Sequence, residues 1–455
     1  MGIDELAAID AVNATVGVVE DIDAFPTVDE LNTFVDALAE AAAGRVTVTE
    51  IGRSRGGDPI REVQIGAGTR HIVVVGNPHP NEPIGMATIR HLLGRLAMEG
   101  MQDFDATWHF LLCLDPDGTR LNEGWFAGPR ARTVVARGFY RPPAVEQPEW
   151  CFPTRWRDTA VGQPMPETRA LMTLIDRTRP ALIVSLHNAD FGGGFFYATG
   201  GDPSYWSGLT RQLVAAGVPI YEGEPDVPGA RTFAPGVFEL PSFHRIAKTL
   251  AGNGIDPLAM MYGAGIRDYA ASHGTAVLVC ELPLWTDPRV ADETPSARSL
   301  STVLFATATA YEEIADIVSG VLDRLSGSLH GSSPFERALT DTVRALRGGA
   351  MAKRAAAKDH PAALGDIFIE EYVWVGVARL RAGGMLTRLL DEQARLQRTA
   401  AIDAERATFA AIFEKWCADI ETNAPGNPVP IHRLVAIQAA AIVTAAARLH
   451  AGLPV

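Results

Sequence analysis

The chain reads as an α/β fold with a largely parallel sheet covered on both faces, followed by an all-helical C-terminal region. Three observations carry that reading. Apolar strand-like runs alternate with helical patterns from about residue 46 to about residue 325. Several of the strands, such as Ile72-Val-Val-Val75 and Ala181-Leu-Ile-Val-Ser-Leu186, are nearly continuous apolar runs, as strands buried on both faces are. After Pro334 the texture changes to Ala-, Leu- and Arg-rich sequence with helical spacing and no strand candidate. A boundary near residue 330 follows, with expected domains 1–328 and 335–455 and no internal repeat.

Residues 1–25 are irregular and acidic. A capping box, Thr27-x-x-Glu30, then opens a helix with an apolar face of Leu31, Phe34, Val35 and Leu38, and Gly44 ends it. Val46–Ile51 alternates like a strand, 52–58 is turn chemistry and Ile60–Ile65 is the returning strand. The strand 71–76 runs through a short loop into a helix that Pro83 is placed to start, expected to Met98. Thr107–Leu114 is another apolar strand, ending in the turn Asp115-Pro-Asp-Gly118. From Glu123 to Gln163 no period is visible. A loop that long in a compact domain is functional or disordered, and its aromatics argue against disorder. A helix from Pro166 to about Arg179 precedes the buried strand that ends in His187. Leu209–Ala216 is helical, and 217–257 is rich in Pro and Gly and expected as loops. Thr275–Pro283 is a buried strand carrying one carboxylate, and a helix from about Ser296 to Leu325 follows.

The chain has 455 residues, 47% hydrophobic and 21% charged, with a net charge of −14 and no basic run. That balance is globular. It excludes nucleic acid as a partner, since binding it requires cationic neutralisation of phosphates. Met1–Leu6 carries acid where a secretory signal carries base. The longest apolar run near the C-terminus, Leu434–Ala447, contains Gln438 and is too short by itself to span a bilayer. Cys113, Cys151, Cys280 and Cys417 show no paired spacing. A cytoplasmic protein without a membrane partner is the expectation.

Chemistry gathers at strand ends. His79 and Glu82 form an H-x-x-E pair in the loop after the strand 71–76, and His187 and Glu281 lie at the ends of two other apolar strands. In parallel α/β sheets, ligands sit beyond the carboxyl ends of the strands. Two neutral imidazoles and one carboxylate leave a zinc ion with net positive charge, which lowers the pKa of its bound water to roughly 7. Glu281, inside an apolar strand, is costly there unless it has a partner or a task. One reading is a buried Glu paired with an arginine. The other is a general base that takes a proton from the attacking water and returns it to a leaving amine.

With these residues in view, the sequence resembles the zinc metallocarboxypeptidase family, the relatives of pancreatic carboxypeptidase. The resemblance covers about residues 27–320. It rests on the opening helix, the Gly52-Arg-Ser…Gly57-Asp-Pro-Ile60 turn, His79-Pro-Asn-Glu82, Asp115-Pro-Asp-Gly118, Pro166-Glu-Thr-Arg169, Ser185-Leu-His187 and Cys280-Glu-Leu282. It implies an α/β/α sandwich around a mixed, largely parallel eight-stranded sheet and one zinc ion per chain. By resemblance His79, Glu82 and His187 are the metal ligands and Glu281 the general base. The family also uses an arginine on the scissile carbonyl and an Asn-Arg pair on the substrate carboxylate, roles that bidentate guanidinium contacts suit. The nearest matches are Arg120 and Asn122. The family's Asp-x-Asn-Arg-Asn segment is not recognisable between 123 and 160, and Arg130, Arg132, Arg155 and Arg157 are the substitutes in reach. Tyr262 resembles the family's mobile tyrosine over the substrate. Arg267 falls near the pocket-floor position that selects the terminal side chain, which implies an acidic preference.

The function expected is therefore zinc-dependent hydrolysis of an amide bond, foremost release of a C-terminal amino acid from a peptide, with Arg120 and the metal steadying the oxyanion. Two rivals stand beside it: deacylation of N-acyl amino acids, as in the aspartoacylase and succinylglutamate desuccinylase branch, and a non-catalytic binding protein that keeps the metal. The apolar faces of the C-terminal helices (Leu380, Leu386, Leu389, Leu390) suit a core, a cover over the site or a homo-oligomeric contact, and the sequence leaves these open.

Overall fold

The computed structural model describes residues 12, 14–98, 104–223, 225, 227–327, 329, 332–357 and 359–455. The acidic start Met1–Leu6 and the boundary residues Ser328, His330 and Gly331 lie outside the described residues. The chain forms two compact units. One combines Met1–Arg120, Val145–Leu284 and Val429–Val455, and the other combines Leu121–Ala144 and Trp285–Pro428. These units run across the partition read from composition. Packing follows buried faces rather than residue texture, so the helix before residue 330 groups with the helices after it, and the last helix groups with the sheet.

The main sheet contains β1 (Val46–Arg53), β2 (Pro59–Ile65), β3 (Arg70–Val75), β4 (Ala106–Leu111), β5 (Leu182–Phe191), β6 (Phe195–Ala198), β7 (Thr232–Ala234), β8 (Val237–Glu239) and β9 (Ala276–Thr286). Their order across the sheet is β1-β2-β4-β3-β5-β9-β6-β8-β7. The sheet is mixed. β3 pairs in parallel with both β4 and β5, and β8 with β6, whereas β1/β2, β2/β4 and β6/β9 are antiparallel. This path has nine strands where eight were expected. β7 and β8 fall in the stretch expected as loops, because three-residue strands show no period in sequence. The same stretch holds helix α5 (Phe243–Gly252), N-capped by Ser242. A hairpin of Thr154–Trp156 and Thr159–Val161 likewise lies inside the aperiodic stretch.

The sequence dictates the layers. Alternate residues of a strand point to opposite faces. Val73, Val75, Ile183 and Val277 share one core with Leu171, Leu174 and Ile175 of helix α3 (Pro166–Thr178) and with Phe243 and Ala247. Val74 and Leu186 belong to the other face, where a Cβ on Gly85 would stand 3.1 Å from the Leu186 Cβ. Gly85 belongs to α2 (Ile84–Met98), which begins one residue after Pro83. The result is an α/β/α sandwich. The first long helix, α1 (Val28–Ala41), opens on the expected box: Glu30 N–H donates to Thr27 Oγ1 (3.2 Å) and Thr27 N–H to Glu30 Oε2 (2.8 Å). Such a cap is worth about 1 kcal/mol.

Register sets the functional edge. Val75 of β3 stands opposite Ser185 of β5. The chain after Val75, with His79 and Glu82, therefore leaves the sheet at the edge where His187 lies, and the neighbouring β9 carries Glu281.

The second unit is mostly helical. Helices α6 (Leu300–Leu325), α7 (Pro334–Ala355), α8 (Val375–Leu396) and α9 (Ala400–Asn423) bury Ile314, Val318, Leu339, Leu386, Leu389, Phe409 and Phe413 together. Segment 121–144 joins this core through Ala136, Phe139 and Tyr140. A Cβ at Gly384 of α8 would lie 1.8 Å from the Ala136 carbonyl oxygen, so only glycine permits that approach. Arg132 donates to the Ala424 carbonyl (2.7 Å) and Arg388 to that of Gly138 (2.7 Å). The region expected to lack strands holds two among the described residues: Pro361–Ala363, paired with Pro295–Ser299, and Asn427–Pro428, which pairs with Thr286 and Trp285 as a tenth strand beside the nine-strand path. With so few residues neither has an alternation to read.

The last helix, α10 (Ile431–His450), belongs to the first unit. By length and composition it would suffice to cross a membrane, which the shorter run Leu434–Ala447 would not. In this fold 67% of its most apolar window is buried, against α2, α4 (Pro203–Ala215) and β5.

Candidate metal centre

At the carboxyl edge of β3 and β5 the structure brings together two imidazoles and three carboxylates. His79, Glu82, His187 and Glu149 are buried, and Glu281 is partly buried. The His187 ring is the hub. Its Nδ1 lies 2.9 Å from Glu82 Oε2 and 3.8 Å from Glu281 Oε1. Its Nε2 lies 3.1 Å from Glu149 Oε2 and 3.0 Å from Ser185 Oγ. Ser185 Oγ in turn donates to Glu149 Oε1 at 2.6 Å. The His79 ring stands edge-on to His187, centroids 5.0 Å apart, with its Nε2 3.9 Å from Glu149 Oε2. Trp150, exposed, packs edge-on against His79 at 5.0 Å.

Two sets of potential ligand atoms result, each within 4.8 Å: His79, Glu149 and His187, and Glu82, His187 and Glu281. A His–Glu–His donor set for a metal is thus present. Its chemistry fits zinc. Two ligands on one tetrahedral zinc stand roughly 3.3 Å apart, and the 2.9 Å between His187 Nδ1 and Glu82 Oε2 is close to that value. Electrostatics agree. Burial, the largest single influence on His187, disfavours its charged form, yet Glu149, Glu281 and Glu82 together hold its pKa well above the ordinary histidine value. A pocket that draws a proton onto a fully buried imidazole is one that favours a cation.

Asn188 braces the group. Its side chain accepts from Ile84 N–H at the start of α2 (3.2 Å) and donates to the Leu282 carbonyl next to Glu281 (3.1 Å), while its own N–H reaches Glu82 Oε2 at 3.4 Å. One amide thereby ties the Glu82 loop, β5 and β9 together.

The other sequence candidates lie elsewhere. Arg120 does not join the cluster. Its Nε donates to Asp58 Oδ2 at 2.5 Å and its Nη2 to Asp29 Oδ1 at 2.7 Å, so two carboxylates occupy the guanidinium and raise its pKa further. Asn122, fully buried, donates to the Tyr140 carbonyl (2.8 Å) and accepts from Tyr140 N–H (3.0 Å) and Trp125 Nε1–H (3.2 Å). These bonds spend its amide on folding segment 121–144 rather than on a substrate. Arg132 is held by the Ala424 carbonyl, Arg155 by that of Asp158, and Arg157 lies over the Trp156 ring. Tyr262 and Arg267 flank the site's own wall. Phe152 pairs with Ala264, which sets 262–267 alongside the segment that carries Glu149 and Trp150. Arg267 Nη1 is 3.7 Å from Asp268, and its Nε is buried without a hydrogen-bond partner.

The zinc carboxypeptidase family model matches residues 31–277, more than half of the 455. The chain belongs to the zinc carboxypeptidase family. No curated protein matches it. Among solved structures it is similar to a metallo-carboxypeptidase from Burkholderia cenocepacia (16% identity, 57% of this chain and 60% of that one, TM-score 0.36). It is also similar to carboxypeptidase A from Helicoverpa armigera (16%, 78% and 80%, TM-score 0.39) and to a metallo-carboxypeptidase from Pseudomonas aeruginosa (19%, 55% and 58%, TM-score 0.34). The chain spans under two thirds of the length of the first and third of these.

Within this member of the family, the sequence reading missed Glu149, Asn188 and Trp150. Glu149 sits in the three-residue turn Pro148–Trp150 inside the aperiodic stretch, where neither period nor spacing marks it. The available signal was an acid beside a tryptophan in a long aromatic loop.

Proposed function

We propose that the chain is a metallocarboxypeptidase, hydrolysing the last peptide bond of a substrate with one zinc ion held by His79, Glu82 and His187. The observation that carries this is the shared approach of Glu82 and Glu281 to one nitrogen, His187 Nδ1, at 2.9 and 3.8 Å. Glu149 faces the Nε2 atoms of both imidazoles, as the carboxylate partner of a ligating histidine does, and would serve the site from outside the ligand set. A zinc ion held there would supply Lewis acidity and lower the pKa of a coordinated water to about 7. Glu281 accepts the proton of the attacking water and returns it to the departing amine. Arg267, with its buried Nε, is the cation assigned to an anionic group of the substrate, either the terminal carboxylate or an acidic side chain. Four buried free cysteines support a reducing, cytoplasmic setting.

The test is zinc analysis joined to a substrate panel: peptides with free or amidated C-termini, peptides ending in Glu or Asp, and N-acyl amino acids. Wild type is expected to carry one zinc and to cleave free-ended peptides. Glu281→Gln should keep the metal and lose about 10²- to 10⁴-fold in rate. Arg267→Ala should weaken the preference for anionic ends. Cleavage of N-acyl amino acids alone would reassign the chain as a deacylase. A zinc-loaded protein inert toward the whole panel would make it a binding protein.

A further inference from the structure

Helix α10 is apolar through its middle, yet it carries Gln438 at zero exposure. An amide buried in such a face is costly unless both of its ends are bonded. Both are. Gln438 Nε2 donates to the His187 backbone carbonyl at 3.1 Å, and its Oε1 accepts from Thr88 Oγ1 at 2.8 Å. Thr88 is itself fully buried on α2, the helix that follows the Glu82 loop. The His187 carbonyl has a reason to need this donor. The β3–β5 pairing ends at Val75 opposite Ser185, so His187 lies two residues past the last registered pair with β3. A buried carbonyl left without a donor is rare in folded proteins.

We propose that Gln438 is a positioning residue for the metal centre. By clamping the His187 carbonyl to α2 it fixes the backbone from which the imidazole projects, and with it the distance between His187 Nδ1 and Glu82. The last helix, which the chain reaches only after the 285–428 unit, is then part of the metal site without contributing a ligand. The inference rests on the reading of His187 as a ligand, and the experiment separates the two.

The full chain is prepared as wild type, Gln438→Met, Thr88→Val, His187→Ala and Ile442→Val. Methionine keeps the length of the buried side chain and removes both hydrogen bonds. Ile442→Val removes one methylene from the same buried helix and leaves both clamp hydrogen-bond partners in place. Three quantities are measured: zinc affinity by competition with a chelator, the visible spectrum of the Co²⁺-substituted protein, and the melting temperature of the apo-protein. Gln438→Met should weaken zinc binding about 10-fold and change the cobalt spectrum. Thr88→Val should shift both in the same direction by less. Ile442→Val should lower the melting temperature and leave affinity and spectrum as in wild type. Gln438→Met or Thr88→Val with wild-type affinity and spectrum would overturn the proposal, and should Gln438→Met fail to fold, Thr88→Val alone decides. If His187→Ala retains wild-type zinc affinity, the ligand assignment itself fails. If His187→Ala loses zinc and the clamp variants do not, only the positioning role falls.

Discussion

Two ends of one sheet each hold a buried imidazole against a carboxylate, and they resolve their charge differently. At the amino end, His109 Nδ1 is 2.6 Å from Glu62 Oε1, its Nε2 is 2.8 Å from His71 Nδ1, and Arg177 closes the chain on the other oxygen of Glu62. Burial pushes the Glu62 pKa up, but His109 and Arg177 outweigh it and hold it below the ordinary glutamate value. Burial, His109 and Arg177 together hold His71 below the ordinary histidine value. At the carboxyl end, three carboxylates surround His187 and force its pKa the other way. A buried His–Glu pair is therefore no metal signature by itself. What marks the metal end is surplus negative charge around the ring, where the other end supplies an arginine.

Exchanging the histidines tests that contrast most directly. His187→Ala should abolish zinc binding and hydrolysis, whereas His109→Ala should leave zinc content at one per chain, both read by metal analysis of purified protein. Zinc lost equally from both variants would erase the distinction. A smaller effect is expected from Glu62→Gln. Removing one partner of a buried charge network costs about 3–5 kcal/mol, so denaturant unfolding should show a loss of that order with zinc binding intact. Glu149→Gln, at the other end, should instead lower zinc affinity about 10- to 100-fold, because its carboxylate faces the Nε2 atoms of both imidazoles.

The contrast also explains what was legible before the structure. His79 and Glu82 follow the end of β3, whereas His187 and Glu281 sit mid-strand, because β5 and β9 run on to Phe191 and Thr286; the apolar runs stop short of the true strand ends, yet they were enough to group the four. Glu149 reaches the same place from a turn in a stretch without period, and pattern does not reach it. Arg120 and Asn122 failed for a different reason. Their neighbours in sequence suggested a substrate role, while their real partners are far away or irregular: Asp29 lies 91 residues upstream of Arg120, and the Tyr140 backbone lies 18 residues beyond Asn122. The composition of α10 announced burial without saying against what. Only the fold shows that Gln438, the amide inside its apolar run, meets the carbonyl of a candidate ligand.

The finest test compares two buried acids, one on β2 and one just after β4, that should tilt stability in opposite directions with pH. Glu62 has a folded pKa below its unfolded value, so it stabilises above the unfolded pKa and that contribution is lost as pH falls. Asp115, fully enclosed after β4 with Gly118 N–H on one oxygen (2.9 Å), is pushed by burial from 3.8 to about 7. Between these values the folded state binds a proton that the unfolded chain does not, so stability falls as pH rises from about 4 to about 7. The full shift corresponds to about 4 kcal/mol. Part of it should remain visible as a decline in unfolding free energy across that window. Asp115→Asn keeps the acceptor for Gly118 and cannot ionise, so it should flatten the neutral limb and leave the acid limb. Glu62→Gln should flatten the acid limb and leave the neutral one. If both variants flattened the same limb, the two ends of the sheet would share one titration, and the charge asymmetry drawn between them would not hold.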